Sequence, residues 1–135
     1  MQIVQDKKRV IENLFEEVWN KRNLDKISEV FSPSPIVHSP IGEYKTWPEM
    51  LQAVDNWISA FPDISVRILN MIEESDLVTS HWEMKATHQS DLNGIPATGK
   101  PVKCQGVSIY RFQDGKVVEY WAFLDAWMLK KQLSK

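Results

Sequence analysis

The stretch 102-VKCQGVSIYRFQDGKVVEYWAFLD-125 decides the fold. Two runs rich in β-branched and aromatic residues flank Asp114-Gly115, a dipeptide suited to a two-residue hairpin turn because both of its positions tolerate positive φ. The reading is a pair of antiparallel strands, Val102 to Phe112 and Lys116 to Asp125, with Gln113 opposite Lys116. Counting outward in step predicts Phe123 opposite Gly106 and Asp125 opposite Cys104. Side chains alternate between faces. Val117, Glu119, Trp121, Phe123 and Asp125 are therefore expected on one face, with Cys104, Gly106 and Ser108 beside them. A large ring across from a glycine implies concave space. The other face, with Val107, Ile109, Val118, Tyr120, Ala122 and Leu124, is apolar too. A sheet apolar on both faces has both covered. The helices of so short a chain cover one face well, so the other is expected to be a subunit interface and the chain a homodimer through its sheet.

Two more strands precede this hairpin, about Ile64 to Glu73 and Leu77 to His88. A three-residue loop, Glu74-Ser75-Asp76, sets Ile72 opposite Val78, Ile68 opposite Trp82 and Ile64 opposite Ala86. A two-residue loop would pair apolar with polar residues. On the second of these strands Val78, Ser80, Trp82, Met84, Ala86 and His88 share a face, and His81 lies on the wetter one. Gln89 to Pro101, with Asn93-Gly94 and Thr98-Gly99, is a longer connection.

Toward the N-terminus the period changes to 3.6. Ile11, Leu14, Phe15 and Val18 predict a helix over Val4 to Asn20. Leu24, Ile27, Val30 and Phe31 predict a short helix that Ser32-Pro33-Ser34-Pro35 breaks. Ile36-Val37-His38 reads as a short extended piece. Thr46-Trp47-Pro48-Glu49 has the capping-box pattern and opens a helix with the stripe Leu51, Val54, Ile58 and Phe61, ended by Pro62. A last helix spans Ala126 to Leu133. Helices first and strands second indicate α+β, with helices packed on one face of an antiparallel sheet.

The chain has 135 residues, the size of one domain over 1–135. Hydrophobic residues make up 43% and charged residues 25%, which suits a globular domain and excludes a disordered one. Sixteen basic residues against eighteen acidic ones, net −2, disfavour a nucleic-acid binder. No apolar run reaches the length of a membrane span, and the charged N-terminus has no signal-peptide core. The single cysteine, Cys104, excludes an internal disulfide. A cytoplasmic location is expected. Six tryptophans point either to a well-filled core or to an aromatic-lined small-molecule pocket.

The candidate chemistry gathers at Asp125, expected beside Trp121 and Phe123. Desolvation between those rings would raise its carboxyl toward the range useful for a base. Asp125 also stands directly before Ala126-Trp127-Met128-Leu129, so it reads equally as the N-cap of the last helix. His88 is a second catalytic candidate, or a histidine that anchors a loop. His38, Trp82, Trp121 and Phe123 are candidate substrate-binding residues, the aromatics being core residues at the least. No metal-ligand spacing, Gly-rich phosphate loop or Gly-x-Ser-x-Gly elbow is present.

Several motifs together resemble the SnoaL-like polyketide cyclases of the nuclear-transport-factor-2-like superfamily. They are Val37-His38-Ser39-Pro40, Ser59-Ala60-Phe61-Pro62-Asp63, Thr87-His88, Gly94-Ile95-Pro96-Ala97-Thr98-Gly99-Lys100, Ile109 to Lys116, and Val118-Glu119-Tyr120-Trp121 with Asp125 four residues on. The resemblance spans nearly the whole chain. It implies a cone-shaped α+β fold, with N-terminal helices packed on a curved antiparallel sheet around a deep pocket, and dimers built through the sheet. It also implies ring closure by intramolecular aldol condensation with no cofactor, the family aspartate falling on Asp125. Cyclases of this type place polar partners on the strand before that aspartate, where this chain offers Cys104, Gly106 and Ser108. Three function classes are carried forward. One is an enzyme abstracting a proton next to a carbonyl (cyclase, isomerase or dehydratase) in a small apolar ligand. Another is a non-catalytic binding domain using the same pocket, and the third is a protein-interaction module working through the sheet face.

Overall fold

The structure is a computed structural model and describes residues 6–39, 42–44, 47–92 and 94–133. Val4, Pro40, Thr46 and Asn93, each part of a motif above, lie outside the described residues. The elements are α1 (Lys7–Leu14), running on through a π-helical turn (Phe15–Asn20), α2 (Lys26–Val30), β1 (Phe31–Ser39), β2 (Gly42–Tyr44) and α3 (Trp47–Ala60). Then come β3 (Ser65–Glu74), β4 (Leu77–Thr87), β5 (Pro101–Gln113), β6 (Lys116–Leu124) and α4 (Ala126–Leu133).

The expected apolar stripe of the first helix is buried at Ile11, Leu14, Phe15 and Val18. Asp6 caps the helix through the Arg9 N–H at 3.2 Å. The wider π turn carries Asn20 to the free edge of β3. There its Nδ2 donates to the Val66 carbonyl at 3.0 Å and its Oδ1 accepts the Val66 N–H at 2.8 Å. One amide side chain thus replaces a neighbouring strand and blunts the edge.

The second helix ends before Ser32-Pro33-Ser34-Pro35, as expected, but the chain goes straight into a strand: Phe31 is already extended, with φ −93° and ψ 150°, and the segment runs within β1. Its pairing to β6 is interrupted between Phe31 and Ile36, where the prolines lie, so their missing N–H groups remove no ladder bond. The sheet has six strands in the order β2-β1-β6-β5-β4-β3. It is mixed rather than wholly antiparallel, because β1 and β6 run parallel.

Two bulges decide which side chains face inward. The β3–β4 turn has two residues, Ser75 and Asp76, with Glu74 opposite Leu77 and Ile72 opposite Thr79. The three-residue loop is thus corrected. An extra residue at Leu69 then restores Ile68 to its place opposite Trp82. The Asp114-Gly115 turn forms as expected, with φ 52° and 81°. Past it, Val118 is an extra residue, so Arg111 meets Glu119, Tyr110 meets Tyr120 and Gly106 meets Leu124. Phe123 therefore lies opposite Val107, not Gly106, and Asp125 is one step off Cys104. In the unbulged register Glu119 would sit on the inner face beside buried Tyr110. Burying an unpaired carboxylate is costly, and the bulge turns it outward.

The inner face, covered by the helices, thus carries Val78, Trp82, Met84, Cys104, Tyr110 and Tyr120 among others. Trp82, Tyr120, Ala122 and Leu124 remain half-buried, as do Leu51, Val54 and Trp57 of α3. The helices therefore leave the middle of that face partly open. The whole is a cone-shaped α+β fold.

Candidate functional site

Polar groups on the inner face sit in adjacent rows. Ser80 pairs with Ser108, which pairs with Ala122; Val78 pairs with Tyr110, which pairs with Tyr120. The Trp82 indole N–H donates to Ser108 Oγ at 3.0 Å. Its ring lies over Gly106, where a Cβ would collide with the indole and with the Phe123 carbonyl. The space expected across from this glycine is thus filled by Trp82. The Tyr110 and Tyr120 rings lie 5.1 Å apart. Burial pushes the Tyr110 phenol well above the usual range, and Tyr120 raises it further. Ser108 and Ser80 offset part of the rise. Burial also raises Tyr120, again offset by Ser108. Both phenols keep their hydrogens at neutral pH.

His88 is fully buried at the end of this face. Its backbone donates to Lys100 O at 2.9 Å and accepts from Gly99 N at 2.8 Å. The Thr98 N–H points at His88 Nδ1 at 3.3 Å, with Thr98 Oγ1 at 3.1 Å. Nδ1 is therefore the acceptor, and the ring hydrogen is on Nε2. That Nε2 is buried with no hydrogen-bond partner among the described residues.

Asp125 follows β6 and is exposed. Its Oδ1 accepts the Met128 N–H at 3.0 Å, which makes it the N-cap of α4. Burial first, and Asp125 second, push the Cys104 thiol up to about 11. Cys104 is buried on the inner face of β5.

The bulge at Val118 places Trp121 and Phe123 on the outer face, where His38 of β1 also lies. Trp121 pairs with Ile109 and with His38, and the His38 ring stacks on it at 5.4 Å. His38 Nε2 lies 3.0 Å from Glu119 Oε2, whose Oε1 accepts from Arg111 Nη1 at 3.0 Å. The Arg111 guanidinium sits 5.3 Å over the Trp121 ring. Phe123 is 55% exposed. Of the expected residues, then, Trp82 and His88 share the inner face, Asp125 is exposed just past the end of β6 where it caps α4, and His38, Trp121 and Phe123 lie on the outer face. His81 forms a separate outer chain between Asn70 at 3.1 Å and Gln105 at 2.8 Å.

The sequence reading missed the two tyrosines and undervalued the two serines. Ser80 and Ser108 interrupt otherwise apolar inner-face sets, which is a legible signal. Tyr120 was hidden by the register. Among the described residues no three His, Cys, Asp or Glu side chains converge as metal ligands would. No helix among them is long and apolar enough to cross a membrane.

Comparison with known proteins bears on this geometry. AclR, a candidate hydroxylase from Streptomyces galilaeus, is 29% identical with a TM-score of 0.82 over 96% of this chain and 97% of its own. IdmH, a candidate polyketide cyclase from Streptomyces antibioticus, is 24% identical with a TM-score of 0.83 over 96% and 99%. A candidate SnoaL-like polyketide cyclase from Jannaschia sp. CCS1 is 19% identical with a TM-score of 0.89 over 99% and 98%. The last two likenesses speak for the fold. No match was found among curated proteins. The family model for the SnoaL-like polyketide cyclases matches residues 9–133, nearly the whole described fold, and the chain belongs to that family.

Proposed function

We propose that the chain is a small-molecule enzyme of the polyketide (ester) cyclase type, which abstracts a proton next to a carbonyl without a cofactor. Asp125 is the acid and base. Its carboxylate takes a proton from a carbon flanked by carbonyl groups. The resulting enolate carbon attacks a second carbonyl of the same molecule. The carboxylic acid then returns the proton to the new alkoxide, so atoms and charge balance. The observation that supports this reading is positional: the Asp125 N–H donates to the Gln105 carbonyl at 3.3 Å, which sets the aspartate one residue along β5 from buried Cys104 on the inner face. Capping does not compete with this role, because Oδ1 takes the Met128 N–H and Oδ2 has no hydrogen bond to the described residues. His88 Nε2–H is the proposed donor to the developing oxyanion. Trp82 offers an apolar wall to a small carbonyl-containing ligand.

The test is exchange of the acidic hydrogens of an aryl β-diketone in D₂O. Wild-type protein is expected to accelerate it, and Asp125→Asn to lose roughly 10²–10⁴-fold of the acceleration. Full exchange by Asp125→Asn would overturn the assignment. A second reading, a binding domain for a small apolar metabolite in the same hollow, is favoured by the exposure and capping role of Asp125. It predicts binding without turnover that survives Asp125→Asn.

The outer face supports the proposed homodimer. Ile72 at 65%, Phe123 at 55% and Ile36 at 44% exposure surround Val107, Ile109 and Trp121, with Arg111, Glu119 and His38 at one rim. An aromatic and aliphatic centre with a polar rim suits a protein interface. A concentration-independent monomer in sedimentation at micromolar protein would remove this reading.

A further inference from the structure

We infer that the outer face receives a second copy whose strands run antiparallel to its own, about a two-fold axis lying across the strands. The inference rests on the homodimer proposed above and gives it a geometry, which the charges of that face select.

The outer face carries opposite charges at its two ends. At one end, two adjacent rows cross β5, β4 and β3: Gln105, Glu83 and Arg67, then Lys103, Lys85 and Ser65. These rows hold three cations against one carboxylate. Glu83 is buried and shared, 3.5 Å from Arg67 Nη2 and 3.4 Å from Lys103 Nζ. Lys85 stands directly opposite Lys103, a like-charge pair that a sheet does not favour by itself. Lys85 makes no ion pair with the described residues. Asp63, farther out, is held by the Thr87 N–H and hydroxyl at 2.7 and 2.8 Å. At the other end, Glu119, Arg111, Leu77 and Glu74 form one row across β6 to β3, and Asp76 follows in the turn. Here three carboxylates face one guanidinium, which reaches Glu119 at 3.0 Å and Asp76 at 3.5 Å. Glu74 makes no ion pair with the described residues. The apolar residues Val107, Ile109, Trp121 and Phe123 lie between the two ends.

A two-fold dimer buries the same patch of both copies. Sheets stacked with aligned strands then have two choices. An axis along the strands sets each end over its like, and like charges across an interface are costly. An axis across the strands sets the basic end over the partner's acidic end, twice by symmetry. Orthogonal packing sets each end over an edge strand instead. The rows also match in number. With the axis midway between the rows of Thr79 and His81, the row of Arg67 covers the partner's row of Glu74. Lys85 then covers the turn that carries Asp76. The central apolar rows cover each other.

The test uses the full chain. Sedimentation from 50 to 500 mM NaCl, roughly a threefold shorter screening length, should show the dimer weakening about tenfold, because exposed pairs are screened. Lys85→Glu and Glu74→Lys should each weaken the dimer about threefold at low salt, and the double variant should regain affinity. Both side chains are exposed, so neither change disturbs the core. A carbodiimide, which joins a lysine to a carboxylate that touches it, should link Lys85 to Asp76 or Glu74. Within one chain Lys85 and Asp76 are roughly 30 Å apart along β4. A mixture of ¹⁵N-labelled and unlabelled protein identifies the link as one between chains. A dimer that salt leaves unmoved or strengthens, variants that pair as well as the wild type, or absence of these links would overturn the geometry and leave the dimer. A monomer at micromolar protein removes the dimer reading and this geometry with it.

Discussion

Cys104 offers a direct readout of whether the Asp125 carboxylate acts on the inner face. Its thiol is pushed up to about 11, by burial first and by Asp125 second. At pH 8 a thiol of that value is ionised in about one molecule in a thousand, against about one in ten for the ordinary value near 9. Since the thiolate is the nucleophile, ionisation alone slows alkylation about a hundredfold. The assay is the rate of iodoacetamide labelling followed by mass, from pH 7 to pH 11. Wild-type protein should show a midpoint near 11. Asp125→Asn removes the charge and keeps a capping side chain, so the midpoint should fall while the helix stays. A midpoint unchanged by Asp125→Asn would refute the claim that this carboxylate acts on the inner-face thiol. The same shift sets an alkaline limit. Above about pH 9 the unfolded thiol loses its proton while the folded one keeps it, so stability falls as pH rises. The loss amounts to about 2 kcal/mol by pH 11. Urea midpoints should decline over that window, and less so in Cys104→Ala.

Other substitutions separate structural from functional roles. Gly106→Ala should cost about 1–3 kcal/mol by driving the Trp82 indole off the strand, read as a lower urea midpoint and altered tryptophan fluorescence. Asp125→Ala should lower stability by about 1 kcal/mol through loss of the α4 cap, whereas Asp125→Asn should change it by only a few tenths. Both would be compared by thermal melts. Phe123→Glu places a charge within the outer apolar patch. It should shift sedimentation to the monomer. A dimer of unchanged affinity would move the interface elsewhere.

Much of the fold is legible from local chemistry. The 3.6-residue stripe of Ile11, Leu14, Phe15 and Val18, the Asp114-Gly115 turn, the face assignment of β4 and the last helix all depend on short-range patterns. The structure reproduces each of them. The capping of α4 by Asp125 is of the same kind, since an aspartate just before a helix satisfies its first N–H groups wherever the helix lies. The identity of β1 was not legible. Its two prolines look like a break, and they are tolerated only because the parallel partner β6 leaves that stretch unpaired.

What sequence alone determined about this protein is the class of fold, the order of its elements and a set of residues with chemical capacity. What only the tertiary structure decided is which of those residues meet. Strand parity propagates from the turn, so one bulged residue reverses every assignment beyond it. The extra residue at Val118 sent Trp121 and Phe123 outward and brought Tyr120 in beside Tyr110 and Ser108. The driving force is non-local. Glu119 escapes burial by reaching Arg111 on one neighbouring strand and His38 on the other, partners that are 8 and 81 residues away in the chain.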